Sequence, residues 1–209
     1  MTMYINLNDP DARPVSRLKT LLPDVSDPDR LTAEELESLG VAECVVTREP
    51  LEWWQTHGER ARDNESSPVT ITYPAIGRPI DEVREIAKHR IDAERDRRQE
   101  LPIECNGHTF QTRPIDRENL LGAALDALMW VTSGGDPDTL FWDVDNPSQA
   151  QGWIAIGNDV VPLTAAQMME FGRKVKARHA ALVFEGRMRK DAVMQAASVA
   201  KVVDAAGWE

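Results

Sequence analysis

The stretch from Pro79 to Leu125 constrains the fold most, because it carries three consecutive local structure signals. The first is PIDEVREIAKHRIDAERDRRQE, in which apolar residues recur every three or four positions at Ile80, Val83, Ala87 and Ile91. This spacing predicts a helix over 80–100 with one buried stripe. The last third of the helix is almost wholly charged, and we expect it to project into solvent, with contact across a polar interface as the alternative.

A β-hairpin is predicted directly after this helix, in LPIECNGHTFQT. Asn106-Gly107 is the preferred pair for a two-residue type I′ turn, because both positions need positive φ. This register pairs Cys105 with His108 and Ile103 with Phe110. All four side chains then share one face, which predicts a packed Cys/His pair rather than a metal site.

A capped helix is predicted next, with Asp116 as its cap and Ile115 and Leu120 as a hydrophobic staple. SGGDPD, from Ser133, ends the helix. The apolar positions of this helix predict a broad buried face, formed by Leu120, Leu121, Ala124, Leu125, Leu128 and Met129.

The last third of the chain is predicted to form a second hairpin followed by a long helix. A turn at Asn158-Asp159 places Ile154, Ile156, Val161 and Leu163 on one face. Thr164 then caps a helix that runs to about Ala205, with Gln167 completing a capping box. We expect Gly186 to break it into two helices, whose shared apolar stripe is Met168, Phe171, Val175, His179, Leu182, Val193, Ala196, Ala200 and Val203.

The N-terminal third has weaker signals. The first thirty residues are rich in Asp and Pro and are predicted to be irregular, as are the polar residues 49–68. Between them, Thr32 and Glu35 form a capping box, and Gly40 is placed to end that short helix in a left-handed conformation. The run Val41–Thr47 is a candidate strand partner for Val69–Tyr73.

Together these signals predict an α+β protein. We place a small N-terminal α+β region at 1–75, with Pro74–Pro79 as a linker. A mainly helical domain with two β-hairpins and a long C-terminal helix then occupies 76–209.

Composition excludes several classes of protein. The net charge of −11 over 209 residues argues against nucleic acid as the main partner. We see no apolar run long enough to span a bilayer and no secretory signal peptide, so a cytoplasmic location is expected. The two cysteines, Cys44 and Cys105, are too few for a disulfide framework and are predicted to be buried thiols.

Charge is spread unevenly along the chain. Residues 132–163 contain no Lys or Arg, whereas the segment after Thr164 is net positive. An acidic loop docked on a basic helix, within or between chains, is one interpretation. Two independent solvated faces are the other.

No pattern of residues predicts a reactive site, so we assign no catalytic, cofactor-binding or metal-binding residue. The four histidines do not cluster in sequence: His57, His89, His108 and His179. An Asp-rich loop over 136–146 offers hard oxygen ligands but lacks the EF-hand Gly and Glu, and turn formation explains it equally. Those ligands are Asp136, Asp138, Asp143, Asp145 and Asn146. Trp53, Trp54, Trp142, Trp153 and Trp208 are candidates for contact surfaces or for the core.

The ordered motifs resemble an uncharacterised domain family common in bacteriophages and prophages, found among tail-fibre and tail-fibre-assembly genes. The resemblance lies at Ile80–Glu100, His108–Thr112, Ile115–Leu121 and Val161–Ala166. The stretch DRLTAEELESLGVAECVVT is similar to the opening of many short phage tail proteins. The Asp-rich stretch 134–151 does not align with the family pattern.

This resemblance implies a non-enzymatic tail-fibre component or assembly factor, present in the host cytoplasm during assembly or in the virion tail. Its partner would be a phage tail or fibre protein. Self-association is compatible with the last helix, and three-fold association would suit a fibre. Two other classes stay open: a metal-dependent hydrolase using residues 136–146, and an acidic mimic of nucleic acid.

Overall fold

The computed structural model describes residues 2–140 and 152–208, and the chain divides into two compact units, Met1–Val83 and Arg84–Glu209. The division falls eight residues after the boundary placed at residue 75. Both units combine helices with small sheets, which confirms the predicted α+β class. Among the helices formed by the described residues, none has the length and apolar character needed to cross a lipid bilayer.

The first unit is built on a four-stranded sheet with strand order β1-β2-β5-β4. The elements in chain order are β1 (Met3–Asn6), α1 (Ala33–Ser38), β2 (Val41–Arg48), β3 (Gln55–His57), β4 (Ala61–Asp63), β5 (Val69–Tyr73) and β6 (Ala75–Gly77). Strands β2 and β5 pair with each other, as predicted, and their pairing is parallel, whereas the other pairs in this sheet are antiparallel. Ile5 and Ile71 are fully buried in its core.

The helix signals of this unit are confirmed. The Thr32 hydroxyl accepts a hydrogen bond from the backbone N–H of Glu35, and the Glu35 carboxylate accepts one from the N–H of Thr32. Gly40 has φ +74°, so it supplies the left-handed residue after α1. Leu36 packs with Leu18 and Val41 in a separate hydrophobic cluster of this unit.

The predictions of irregular structure in this unit are wrong in three places. Residues 3–6 form the edge strand β1, residues 49–68 contain β3 and β4, and the expected linker contains β6, which pairs with β3. Strands of three or four residues are too short to show a recognisable apolar alternation, and they form by pairing with neighbouring sheet edges. Arg62 also fastens the N-terminal loop, because its guanidinium donates to the carbonyls of Asn6 and Asp9 at 3.1 and 2.9 Å.

The second unit is mainly helical. Its elements are α2 (Ile80–Glu100), which begins just before the division, then β7 (Ile103–Cys105), β8 (His108–Phe110), α3 (Pro114–Thr132), β9 (Trp153–Ile154), β10 (Val160–Val161), α4 (Ala165–Gln195) and α5 (Val199–Ala206). Phe110 and Phe171 meet at the centre of its core, with ring centroids 4.7 Å apart. The predicted α2 stripe is confirmed, since Val83, Ala87 and Ile91 are all fully buried.

The charged end of α2 projects into solvent only in part, since Asp96, Arg97 and Glu100 are exposed while other residues form the alternative polar interface. Asp92 accepts hydrogen bonds from Lys190 of α4 at 2.7 Å and from Arg95 at 2.6 Å. Arg98 lies over the ring of Trp208, and Gln99 is buried. Long charged side chains thus cover this part of the helix bundle with their stems while their charges are paired.

The first hairpin has the predicted register, with Ile103 opposite Phe110 and Cys105 opposite His108. Asn106 and Gly107 both have positive φ, at 50° and 77°. The predicted packing of Cys105 against His108 is wrong, however, because Cys105 is buried and His108 is exposed. Because the strands of a β-hairpin twist, the side chain of His108, which directly follows the turn, lies outside the buried face.

The second hairpin has a different register from the predicted one. Ile154 pairs with Val160 and Trp153 with Val161, and the intervening turn places Asn158 at φ +67°. The Ala155 N–H also donates to the carbonyl of Asp159 at 2.9 Å, so a three-residue loop over 156–158 with one left-handed residue replaces the two-residue turn. Consequently Ile154 and Ile156 are exposed, whereas Ala155, Val161 and Leu163 are buried.

The long C-terminal helix is divided, but not at Gly186. Helix α4 continues through that glycine, which is buried and faces Ile91 and Arg95 of α2. The chain leaves the helix at Ala196, whose carbonyl accepts a hydrogen bond from Arg84 at 2.8 Å. Ser198 then caps α5.

The predicted stripe of this segment is only partly correct. Phe171, Val175 and Val193 are buried, whereas His179 and Ala200 are exposed. At the start of α4, Thr164 and Gln167 form the predicted capping box. Leu163 and Met168, which flank this capping box, are both buried.

Candidate protein-interaction surface

Helix α3 is apolar on both sides, and only one of them is covered. On the covered side, Leu120 and Ala127 are buried against α4, within the core around Phe171. Gly172 of α4 permits this close approach. A Cβ added there would lie 2.5 Å from the Cβ of Ala124, well inside the contact distance of two carbon atoms.

The other side of α3 presents large apolar side chains to solvent. We call it the leucine face: Leu121 (46% exposed), Leu125 (56%), Leu128 (46%) and Met129 (59%). The prediction that these residues are buried together with Leu120 is therefore wrong. One neighbouring helix covers only one side of α3, and a helix that is apolar all round needs a second neighbour.

Acidic residues flank the leucine face. Glu118 and Asp126 are both exposed, and they lie eight residues apart on the same side of the helix. Neither forms an ion pair with any residue of the ranges 2–140 and 152–208. The face is thus an apolar strip with an acidic border.

The N-terminal half of α3 is held by two arginines that bind backbone carbonyls. Arg117 donates to the carbonyls of Thr112 and Gln99 at 2.8 and 3.2 Å. Arg178 of α4 donates to the carbonyls of Pro102 and Gln99 at 3.0 and 3.2 Å. Both guanidinium groups thus lie at the C-terminus of α2, where the helix dipole favours cations.

Burial of this junction affects its ionisation. Desolvation lowers the pKa of Arg178, and the nearby charge of Arg117 lowers it further. No sequence pattern indicated this junction, because its acceptors are backbone groups rather than acidic side chains. Its effect is to join α2, the first hairpin, α3 and α4 into one support for the leucine face.

The N-terminal cap of α3 also differs from the prediction. Asp116 is not the cap but lies one turn inside, where its carboxylate accepts from the backbone N–H of Arg113 at 3.0 Å. The Arg113 guanidinium hydrogen-bonds the same carboxylate, and this contact lowers the pKa of Asp116. Ile115 is exposed, so it does not form the predicted hydrophobic staple with Leu120.

A cleft of about 440 Å³ opens beside this cap, between α3 and the second hairpin. Asp116 is the carboxylate on its wall, and Gln111, Ile154 and Asn158 line it further. A carboxyl group with a lowered pKa stays ionised at neutral pH, so Asp116 is unsuited to act as a general acid. The cleft does not gather a nucleophile, a base and an oxyanion donor in one place.

The other residues considered for chemistry lie apart. His89, His108 and His179 are exposed on different elements of the second unit, and His57 lies in β3 of the first unit. Cys44 and Cys105 are buried free thiols, as predicted, and burial raises the pKa of each. Within residues 2–140 and 152–208, no three His, Cys, Asp or Glu side chains are placed to hold a metal ion.

The Asp-rich loop is only partly within the described residues. Asp136 forms a turn, since its carboxylate accepts from the N–H of Asp138 at 2.9 Å. Asp143, Asp145 and Asn146 lie outside the described residues. Of the five ligands considered for a metal-dependent hydrolase, two, Asp136 and Asp138, are therefore described. The carboxylate of Asp136 already stabilises a local turn.

The tryptophans divide between packing and surface contact. Trp153 packs edge-on against Phe171, and Trp208 lies between the guanidinium groups of Arg98 and Arg189, at 4.9 and 5.0 Å from its ring centroid. Trp53 and Trp54 form an edge-to-face pair in the first unit. Trp142 lies outside the described residues.

The basic residues of α4 bind several different acceptors. Lys174 donates to the carbonyl of Glu104 at 2.6 Å, and Lys190 pairs with Asp92 of α2. Docking of the acidic segment 132–163 on this basic helix stays a prediction. The described residues at the start of this segment contact α4 through a backbone hydrogen bond, which the Ala165 N–H donates to the carbonyl of Thr139.

Comparison with known proteins gives one match. Residues 82–207 match the model of a domain of unknown function, DUF4376. No curated protein matches the chain, and no solved structure does. Because the matched residues run from the first turn of α2 to the end of α5 and make up more than half of the chain, this protein belongs to the DUF4376 family.

Proposed function

We propose that this protein is a non-enzymatic, tail-associated protein of a bacteriophage or prophage. It acts either as a small tail-fibre component or as an assembly factor for a fibre, through protein–protein contacts. Its partner is a tail or fibre protein, which it meets in the host cytoplasm during assembly. The leucine face of α3 is the surface that binds this partner.

The observation that carries the proposal is the exposure of Leu121, Leu125, Leu128 and Met129 on one side of a single helix. Contiguous apolar patches on a protein surface mark sites of interaction with proteins or other apolar ligands. The spacing of four, three and one residues keeps the side chains on one strip, which suits a partner helix or an apolar groove. The acidic border adds a preference for a basic partner.

The phage context is supported by the order of the short motifs that resemble tail-fibre-associated proteins. These motifs fall on α2, β8, the start of α3, and the junction of β10 with α4. They thus belong to the elements that build the support for the leucine face. The resemblance brings no catalytic residue, and the proposal needs none.

The proposal is tested by capture from phage-infected or induced cells, using the full chain as bait. We expect the wild-type protein to retain a tail or fibre protein, and Leu125→Asp to lose it, because a charge at the centre of an apolar contact is costly to bury. Val160→Asp is the matched control, since Val160 is equally exposed but lies on the second hairpin. Both variants are checked for native helix content by circular dichroism.

Mass spectrometry of purified virions separates the two versions of the function. A fibre component is present in particles, whereas an assembly factor binds immature fibre and is absent from them. If the protein binds no tail or fibre protein, or if Leu125→Asp binds as well as the wild type, the proposed function is wrong.

A further inference from the structure

The second unit carries two exposed seams with identical spacing, one on α3 and one on α4. The α3 seam is Leu121, Leu125, Leu128 and Thr132, and the α4 seam is Ala177, Ala181, Phe184 and Met188. Each advances by four, three and four residues, which is the alternation that keeps coiled-coil contacts in line. All eight residues are exposed, and both seams span about 16 Å of helix.

The two seams differ in side-chain size in a complementary way. The α3 seam presents three leucines, whereas the first half of the α4 seam consists of two alanines. Large side chains of one helix can fill the space left by small ones on a facing helix, which gives closer packing than leucine against leucine or alanine against alanine. Phe184, 71% exposed, and Met188, 65% exposed, supply the apolar area on α4.

The charges beside the seams are also complementary. Exposed Glu118 and Asp126 lie beside the α3 seam, and exposed Lys176 and Arg187 lie beside the α4 seam on one side of the helix. Arg187 pairs with Asp191 in its own helix at 3.1 Å, whereas Lys176 forms no ion pair among the described residues. Contact between two α3 seams would bring acid against acid, whereas contact between an α3 seam and an α4 seam would bring Glu118 and Asp126 near the ammonium group of Lys176.

From this match we propose that copies of this protein associate head to tail, with the α3 seam of one copy packed on the α4 seam of the next. In this contact a second copy of the chain covers the α3 seam, so the leucine face stays free for a tail or fibre protein only on a copy at the open end of the assembly. A contact between two different surfaces closes into a ring or continues as a filament. This inference rests on the proposed function only because both use the same side of α3. Measurements of self-association alone test it.

Two single variants test the proposal in the full chain. Leu125→Asp removes the α3 seam and leaves the α4 seam intact, whereas Phe184→Asp does the reverse. We expect wild type to show a molar mass that rises with concentration in light scattering, and each variant to remain monomeric at concentrations where the wild type associates. At least a tenfold weaker self-association is expected for each, and Val160→Asp is expected to behave as wild type.

Mixing the two variants gives the sharpest result. An equimolar mixture contains one intact α3 seam and one intact α4 seam, so we expect it to form a dimer and to stop there. Circular dichroism at 222 nm establishes that both variants keep their helices. A tagged Leu125→Asp protein should then retain Phe184→Asp but not itself.

Three results would overturn the proposal. The first is a wild-type protein that is monomeric at all accessible concentrations. The second is loss of association in only one of the two variants, which indicates contact between identical surfaces. The third is a mixture that remains monomeric. Capture of a fibre protein by a strictly monomeric wild type would overturn this inference while leaving the proposed function intact.

Discussion

Substitution of Gly172 by Ala tests whether α3 and α4 pack as closely as the structure shows. In the interior of an isolated helix this change should stabilise by about 1 kcal/mol, because Ala has the higher helix propensity. Here the added Cβ would lie 2.5 Å from the Cβ of Ala124, whereas carbon atoms in contact are separated by about 3.5–4.0 Å. Neither Cβ can rotate away, so the two helices must separate.

The clash should therefore outweigh the propensity. Overpacking of a core costs about 1–3 kcal/mol, and the rigid contact favours the upper half of that range. We expect Gly172→Ala to lower the free energy of unfolding by about 1–2 kcal/mol after the propensity gain of about 1 kcal/mol. Urea titration followed at 222 nm measures it, because the long helices α2, α3 and α4 dominate that signal.

Gly122→Ala is the matched control. Gly122 lies in α3, and an added Cβ meets no atom within 4 Å. This variant should be more stable than wild type by up to about 1 kcal/mol, since only helix propensity acts. The reasoning is refuted if Gly172→Ala stabilises as much as Gly122→Ala does.

The reciprocal exchange isolates the contact itself. In the double variant Gly172→Ala/Ala124→Gly, the methyl group moves from one helix to the other and the clash disappears. Its stability should lie near the wild type, although each single change is destabilising. A coupling energy of about 2–3 kcal/mol is expected between the two positions, and additivity of the two changes would contradict the model.

Three further changes address the cap of α4, the arginine junction and acid stability. Thr164→Ala should lose about 1 kcal/mol in urea titration while Thr164→Ser retains it, because the hydroxyl caps the Gln167 N–H. Arg178→Met should lose about 2–3 kcal/mol, since it leaves the carbonyl of Pro102 without its charged donor and removes one of the two charged donors of Gln99, and a cost below that of Thr164→Ala would count against the junction. Hydrogen bonds from Arg97 and then Arg98 lower the pKa of Glu94 from 4.5 to about 2, so its stabilising effect is complete above pH 4.5 and lost as pH falls through about 2. In Glu94→Gln the free energy of unfolding should therefore change less between pH 4.5 and about 2 than it does in the wild type. If the curves of the two proteins against pH are parallel, Glu94 does not contribute.

The features that sequence reasoning predicted correctly are set by a few neighbouring residues. The capping boxes at Thr32 and Thr164 and the turn at Asn106-Gly107 depend on backbone and side-chain groups within one or two turns. Their energetics are nearly independent of the rest of the fold. Such signals therefore fix the positions of elements well.

Long-range packing explains the predictions that failed. The apolar period of α3 shows which residues avoid water but not how many neighbours the helix has, so Leu125 was predicted to be buried. The break of the last helix was expected at Gly186, but packing of that glycine on α2 keeps the helix continuous. Strands β1 and β3 gain their structure from pairing with β2 and β6, which are distant in sequence, and β4 gains its structure from pairing with β5.

The candidate surface was predicted in part. The sequence marked every residue of the leucine face as apolar, yet exposure is decided by what covers the helix. Arg117 and Arg178, which support α3, carried no signal because they bind carbonyls rather than acids. A guanidinium group that binds backbone leaves no complementary side chain in the sequence to suggest its position.

The two sides of α3 use different residues, and this separation explains how one helix can serve both stability and binding. Leu120 and Ala127 face the core, so their loss costs folding energy, whereas Leu125 and Leu128 contribute little to the folded chain because about half of each is already exposed. Large exposed leucines that do not stabilise the monomer favour aggregation unless another surface covers them. Leu125→Asp should therefore leave the unfolding midpoint nearly unchanged while abolishing partner contact, and Gly172→Ala should shift the midpoint while leaving every residue of the leucine face in place. The opposite pattern would mean that α3 is a core helix whose exposed side has no binding role.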